Sequence, residues 1–168
     1  MLVEWLGVVA VAVLLAMVLR TFVVHAHRID SGSMEATLES SDRVLVNRLS
    51  YRLHGVERGD VVVFEHDLEN TDTRHLIKRV LALGGEEIEG VDGEIYVDGM
   101  RVDESSYLGV DVETEPFDAV VVPEGQVFVL GDNRDGSLDS RFFGPIPEDE
   151  ITGRAFVIYW PLNRLGQL

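Results

Sequence analysis

The chain has 168 residues, 46% of them hydrophobic, no cysteine, and a formal net charge of −16. That length allows one domain with its own core plus a short appendage. The acidic balance excludes a surface that docks on nucleic acid or on anionic head groups, and the missing cysteines exclude disulfides and thiolate metal sites.

The first element carries no charge from Trp5 to Leu19. With Leu2, Val3, Phe22, Val23 and Val24 the apolar stretch reaches roughly 20 residues, enough for a helix to cross a bilayer core of roughly 30 Å. Arg20 can snorkel to the interface and Trp5 suits an interfacial position. A single transmembrane helix over residues 1–24 is therefore expected. A cleaved secretory signal is the second reading, because Val24-His25-Ala26 offers a small residue at a cut, although no basic leader precedes it. A buried helix fits worst, since the segment is apolar on every face. Arg20 and Arg28 follow the span and no basic residue precedes it, which taken alone puts the rest of the chain in the cytoplasm.

Residues 25–168 carry the whole net charge and read as strands and turns. Arg43 to Leu49 alternates around Val44, Val46 and Leu49. Asp60 to His66 contains Val61-Val62-Val63-Phe64, a buried strand, and Leu76 to Leu83 is a second apolar run. His66 to His75 and Asp103 to Asp118 read as exposed loops. Glu94 to Val97 and Met100 to Val102 flank Asp98-Gly99, a two-residue hairpin signal. Val120 to Val122, Gln126 to Leu130 and Ala155 to Trp160 complete a mainly β domain, a sandwich or coiled antiparallel sheet. Gly84-Gly85 is a turn without the Lys-Ser/Thr of a nucleotide loop.

Three segments carry possible chemistry. Ser31-Gly32-Ser33-Met34 follows the span, and by itself it reads as a polar loop, because a serine hydroxyl needs a base before it attacks anything. None of His25, His27, His54, His66 or His75 sits in a motif of the Ser-His-Asp kind, although chain order alone does not exclude such a triad. Lys78 is the only lysine, every other fixed cation is arginine, and it interrupts an apolar strand. Burial there would lower its pKa and make it a base near neutral pH, which arginine cannot become; the alternative is a strand lysine facing solvent. The third segment, Gly131 to Arg141, mixes Asp132, Asp135 and Asp139 with Arg134 and Arg141. A metal loop is one reading, but its spacing does not fit an EF-hand loop and its arginines oppose a cation, so Asp–Arg pairs that stiffen the loop fit better.

Taken in order, these segments resemble the boxes of the bacterial type I signal peptidases. Ser31 to Leu38 is similar to the nucleophile box and Arg58 to Phe64 to the structural strand box. Lys78-Arg79-Val80 is similar to the box that supplies a lysine base. Gly131 to Arg141, followed by Phe142-Phe143-Gly144, is similar to the terminal box. The resemblance spans nearly the whole chain. It departs at Asp30, Ala36 and Gly84, where proline is usual, and at Gly136, where asparagine is usual. Lys78 sets it apart from the endoplasmic-reticulum and most archaeal enzymes, which are expected to carry histidine there.

The resemblance implies a fold of signal-peptidase type over residues 25–168 and a membrane-anchored serine endopeptidase that removes signal peptides. It implies Ser33 as nucleophile and Lys78 as general base. Ser31 would help hold the oxyanion, and Ser137 would orient the lysine. Asp139 and Arg141 would form a salt link, and Asp132 and Arg134 would support the loop. Met34 would line a shallow substrate pocket, and the substrate would add a strand near Leu76 and Ile77. No metal and no cofactor is implied. The expected partners are signal-peptide-bearing preproteins and the lipid bilayer, with no nucleic acid, a monomeric enzyme, and the catalytic domain on the extracytoplasmic face of the cytoplasmic membrane. Self-cleavage after Ala26 is a further expectation. Two alternatives stay open: another Ser/Lys processing protease, and a tethered β domain that only binds.

Overall fold

A computed structural model describes residues 5–13, 24–66, 74–109 and 112–168. Residues 5–13 are helical and every one of them is exposed. Among the described residues no helix is long and apolar enough to cross a membrane. The rest of the expected anchor, residues 1–4 and 14–23, lies outside the described residues, as does most of the loop expected between His66 and His75.

Among the described residues the domain has twelve strands in two antiparallel sheets. The strands are β1 (Val24–Arg28), β2 (Arg43–Asn47), β3 (Val61–His66), β4 (Arg74–Leu83), β5 (Glu87–Val91), β6 (Glu94–Val97), β7 (Met100–Arg101), β8 (Phe117–Val121), β9 (Gln126–Leu130), β10 (Ile146–Pro147), β11 (Ile151–Trp160) and β12 (Gly166–Gln167). The larger sheet runs β1-β2-β11-β3-β4-β9-β10, with β12 on β11, and the smaller runs β7-β6-β5-β8. This is the mainly β, antiparallel architecture expected.

The residue pattern accounts for these positions. Val61 to Phe64 are all buried, as a continuous apolar run in a central strand requires. β2 alternates instead, burying Val44 and Val46. Asp98 and Gly99 both have positive φ, 50° and 72°, so the expected hairpin closes with Val97 opposite Met100. Asp92 and Gly93, at 51° and 85°, close a second hairpin between β5 and β6 that the sequence reading passed over. Met34, Leu38, Val44 and Val63 share one core cluster, and Leu81, Ile88, Ile95 and Phe128 share another beneath the small sheet.

Two features of the large sheet position the site. β4 pairs with β3 along Arg74 to Arg79, but with β9 only from Arg79 onward. The edge of β4 from Arg74 to Lys78 that faces away from β3 is therefore unpaired among the described residues. β9 then delivers the chain into the Gly131–Arg141 segment next to Lys78. β1 is a paired strand rather than the tail of the apolar segment, and Ala26 sits mid-strand opposite Leu45. Cutting after Ala26 would require stripping β1 from β2.

Candidate active site

Ser33 lies in the turn that follows β1. Met34 and Leu38, both fully buried, pin that turn to the core, and the Leu38 N–H donates to the Met34 carbonyl at 2.7 Å. Lys78 comes from β4, opposite Val62 of β3. Its Nζ lies 2.7 Å from Ser33 Oγ and donates to the Ile77 carbonyl at 3.0 Å. Lys78 is 2% exposed. That burial pushes its pKa down to about 8, while the Asp139 and Asp132 carboxylates act in the opposite sense. At pH 7 about a tenth of such an amine is neutral, against about one part in 3,000 for a solvated lysine. Ser31 Oγ lies 3.3 Å from Ser33 Oγ.

The terminal loop closes over this pair through buried charges. Asp139, fully buried, takes hydrogen bonds from Arg141 Nε at 2.8 Å and Nη2 at 2.9 Å, and from the Gly131 N–H at 3.0 Å. Arg134 does not pair with Asp132. It reaches Glu104, Thr114 and the Gly131 carbonyl instead. Asp132 is held in a two-pronged grip by Arg79, Nε to Oδ1 at 3.0 Å and Nη2 to Oδ2 at 2.7 Å, and Thr37 donates to it as well. Arg79 also stacks on the Tyr107 ring, 3.8 Å from its centroid. Arg79, Thr37, Glu104 and Thr114 are site-supporting residues that the sequence reading did not assign. The available signal was a second cation beside Lys78 in an apolar strand, which must find a buried carboxylate.

Two expected contacts differ. Ser137 is buried beside Gly131, but its Oγ has no hydrogen-bond partner among the described residues, while the lysine amine contacts Ser33 and the Ile77 carbonyl. Met34, expected to line a substrate pocket, is fully buried, and its sulfur accepts the Asp132 N–H at 3.4 Å. Leu76 and Ile77 do line an open groove of about 470 Å³, together with His27, Ile29, Asp30 and Ser31. No group of three or more potential metal ligands occurs among the described residues.

A serine hydroxyl against a buried amine, beside an unpaired strand edge, is the arrangement of a serine endopeptidase. Sequence comparison narrows that class. Residues 2–160 match the family described as "Signal peptidase, peptidase S26". The chain is 43% identical over 160 residues to probable signal peptidase I-2 of Synechocystis sp., covering 94% of this chain and 72% of that protein. It is 38% identical to signal peptidase I of Leptolyngbya laminosa, covering 99% and 84%, and 35% identical to signal peptidase IB of Staphylococcus aureus, covering 96% and 91%. The chain belongs to the signal peptidase family, peptidase S26.

Proposed function

We propose that this enzyme removes N-terminal signal peptides from exported preproteins, with Ser33 as nucleophile and Lys78 as general base. The observation that carries the reading is the 2.7 Å approach of a buried lysine amine to a serine hydroxyl 45 residues earlier in the chain. Neutral Lys78 takes the Ser33 hydroxyl proton as Oγ attacks the scissile carbonyl. The resulting ammonium protonates the departing amine and leaves an ester on Ser33. Lys78, neutral again, then draws a proton from water as the water oxygen attacks the ester carbonyl; the acyl–Oγ bond breaks, and the ammonium returns the proton to Ser33 Oγ. The oxyanion is held by the Ser33 backbone N–H and the Ser31 hydroxyl, each such donor being worth about 10²–10³ in rate. Asp139 with Arg141, and Asp132 with Arg79, hold the loop that walls the amine off from water.

The substrate enters extended along the unpaired edge of β4, in the groove between Ile29–Ser31 and His75–Ile77. The apolar walls at Ile29, Leu76 and Ile77 suit small apolar side chains before the cut. The apolar segment that precedes β1 anchors the enzyme in the membrane, which keeps it in the plane of its substrates and raises their effective concentration. Exported precursors present their cleavage site outside the cytoplasmic membrane, so the catalytic domain lies on that face as a monomer, despite Arg20 and Arg28.

The test is cleavage of a preprotein by the detergent-solubilised full chain, compared with Ser33→Ala and Lys78→Ala. Loss of cleavage in both variants supports the dyad. Cleavage that persists in Lys78→Ala removes that residue from the mechanism.

A further inference from the structure

Asn133 is assigned no part in the scheme above, yet it holds the nucleophile from both sides. Its Nδ2 donates to the Gly32 carbonyl at 2.9 Å, and its backbone N–H donates to the Ser33 carbonyl at 3.1 Å. Its Oδ1 accepts the Gly136 N–H at 3.2 Å, which fixes the orientation of the side-chain amide and folds the terminal loop back on itself. These bonds fall on the peptide groups immediately before and after Ser33. A trans peptide is planar, with C=O and N–H on opposite sides. A donor that fixes the Gly32 carbonyl therefore fixes the direction of the Ser33 N–H at the other end of the same plane. That N–H donates to no acceptor among the described residues, so it remains available to a ligand.

We infer that Asn133 is a positioning residue that aims the Ser33 backbone N–H at the oxyanion formed during attack. The inference rests on Ser33 being the nucleophile. Its chemistry is specific: the Gly32 carbonyl accepts the Glu35 N–H at 3.1 Å from within its own turn, and the Asn133 amide adds a second donor from the terminal loop while its oxygen serves the Gly136 N–H. The effect belongs to the transition state, because the N–H matters most when negative charge grows on the carbonyl oxygen. A misdirected donor loses part of what a deleted one loses, so a drop of about tenfold to a hundredfold in kcat is expected, below the full cost of deletion.

Asn133→Asp separates the two halves of the side chain. It keeps an oxygen for the Gly136 N–H and sets a carboxylate against the Gly32 carbonyl. The full chain is assayed in detergent on a preprotein, alongside wild type, Ser33→Ala and Asn133→Ala, with melting temperatures measured on the same samples. Asn133→Asp is expected to lower kcat by about tenfold to a hundredfold, with KM within about twofold, and the pH midpoint of kcat/KM is expected to stay unmoved in the uncharged Asn133→Ala, since an added carboxylate would itself raise the Lys78 pKa. Asn133→Ala, uncharged, is expected to show the same kcat-only loss when read well below its own melting temperature. Wild-type kcat in either variant, or a loss confined to KM, overturns the role of Asn133. Cleavage that survives Ser33→Ala is a different failure: it removes Ser33 as nucleophile, and with it the ground for this inference.

Discussion

Alanine at position 131 tests the packing that joins the terminal loop to the nucleophile. A Cβ there would stand 2.1 Å from Ser137 Oγ and 2.4 Å from both Ser137 Cβ and the Ser33 carbonyl oxygen. Carbon contacts are comfortable at roughly 3.5–4.0 Å, so something must move by on the order of 1 Å. Ser137 is walled in, and the Ser33 carbonyl is tied to the Asn133 N–H at 3.1 Å. Relief therefore displaces the residue whose Oγ must stay beside the lysine amine. A misplacement of about 1 Å at a reacting centre costs about 10²-fold in rate, and overpacking of this kind costs about 1–3 kcal/mol. The assay is kcat/KM for preprotein cleavage by Gly131→Ala, paired with thermal unfolding. The expected result is a loss of about a hundredfold, with a melting temperature lower by about 2–4 °C for each kcal/mol. Wild-type rate and melting temperature together would refute the reasoning.

Other consequences concern stability. The folded pKa of Lys78, about 8, lies below its ordinary value of 10.5, so the unfolded chain binds the extra proton between those values. Stability is therefore lowest below pH 8 and rises as pH climbs from there toward 10.5. Lys78→Met is expected to remove this rise, to stabilise the protein at pH 7 by up to about 3 kcal/mol in urea unfolding, and to abolish cleavage. Arg79→Met strands the fully buried Asp132 carboxylate and is expected to cost about 3–5 kcal/mol, much of which Arg79→Met with Asp132→Leu recovers; an additive double variant would contradict the pairing. Ala36 has a φ of 98°, in the region that favours glycine and that proline cannot enter. Ala36→Gly is expected to stabilise by about 1 kcal/mol and Ala36→Pro to destabilise by more, as measured by urea unfolding.

The elements legible in the sequence are those whose pattern is local. Val61 to Phe64 and Leu76 to Leu83 announce central strands by continuous burial, and Asp98-Gly99 announces its hairpin. β1 was hidden because its apolar residues run on from the N-terminal segment, and β5 because Glu87 to Val91 alternates over only five positions with a glycine among them. Sheet order is a non-local property: β2 pairs with β11 across more than 100 residues, and nothing near either strand encodes that choice. The site divides in the same way. Lys78 stands out as a lone lysine in an apolar strand, and Ser33 acquires meaning only once such a base exists. The partner of Asp132 was beyond reach, since several arginines compete for it in the sequence and only burial selects Arg79. The burial of Met34 is not legible in the sequence, because neighbourhood in the chain does not reveal which way a side chain points. Its thioether turns into the core, beneath the turn that carries Ser33.

The account depends on a lysine amine that loses its proton near neutral pH and serves Ser33. The pH dependence of kcat/KM for preprotein cleavage by the full chain measures that amine directly, because this ratio reports the ionisation of the free enzyme. A rise of about tenfold for each pH step below a midpoint near 8, with a plateau above it, is the expected result. A flat profile, or a midpoint near the ordinary histidine value of about 6.5, would contradict it.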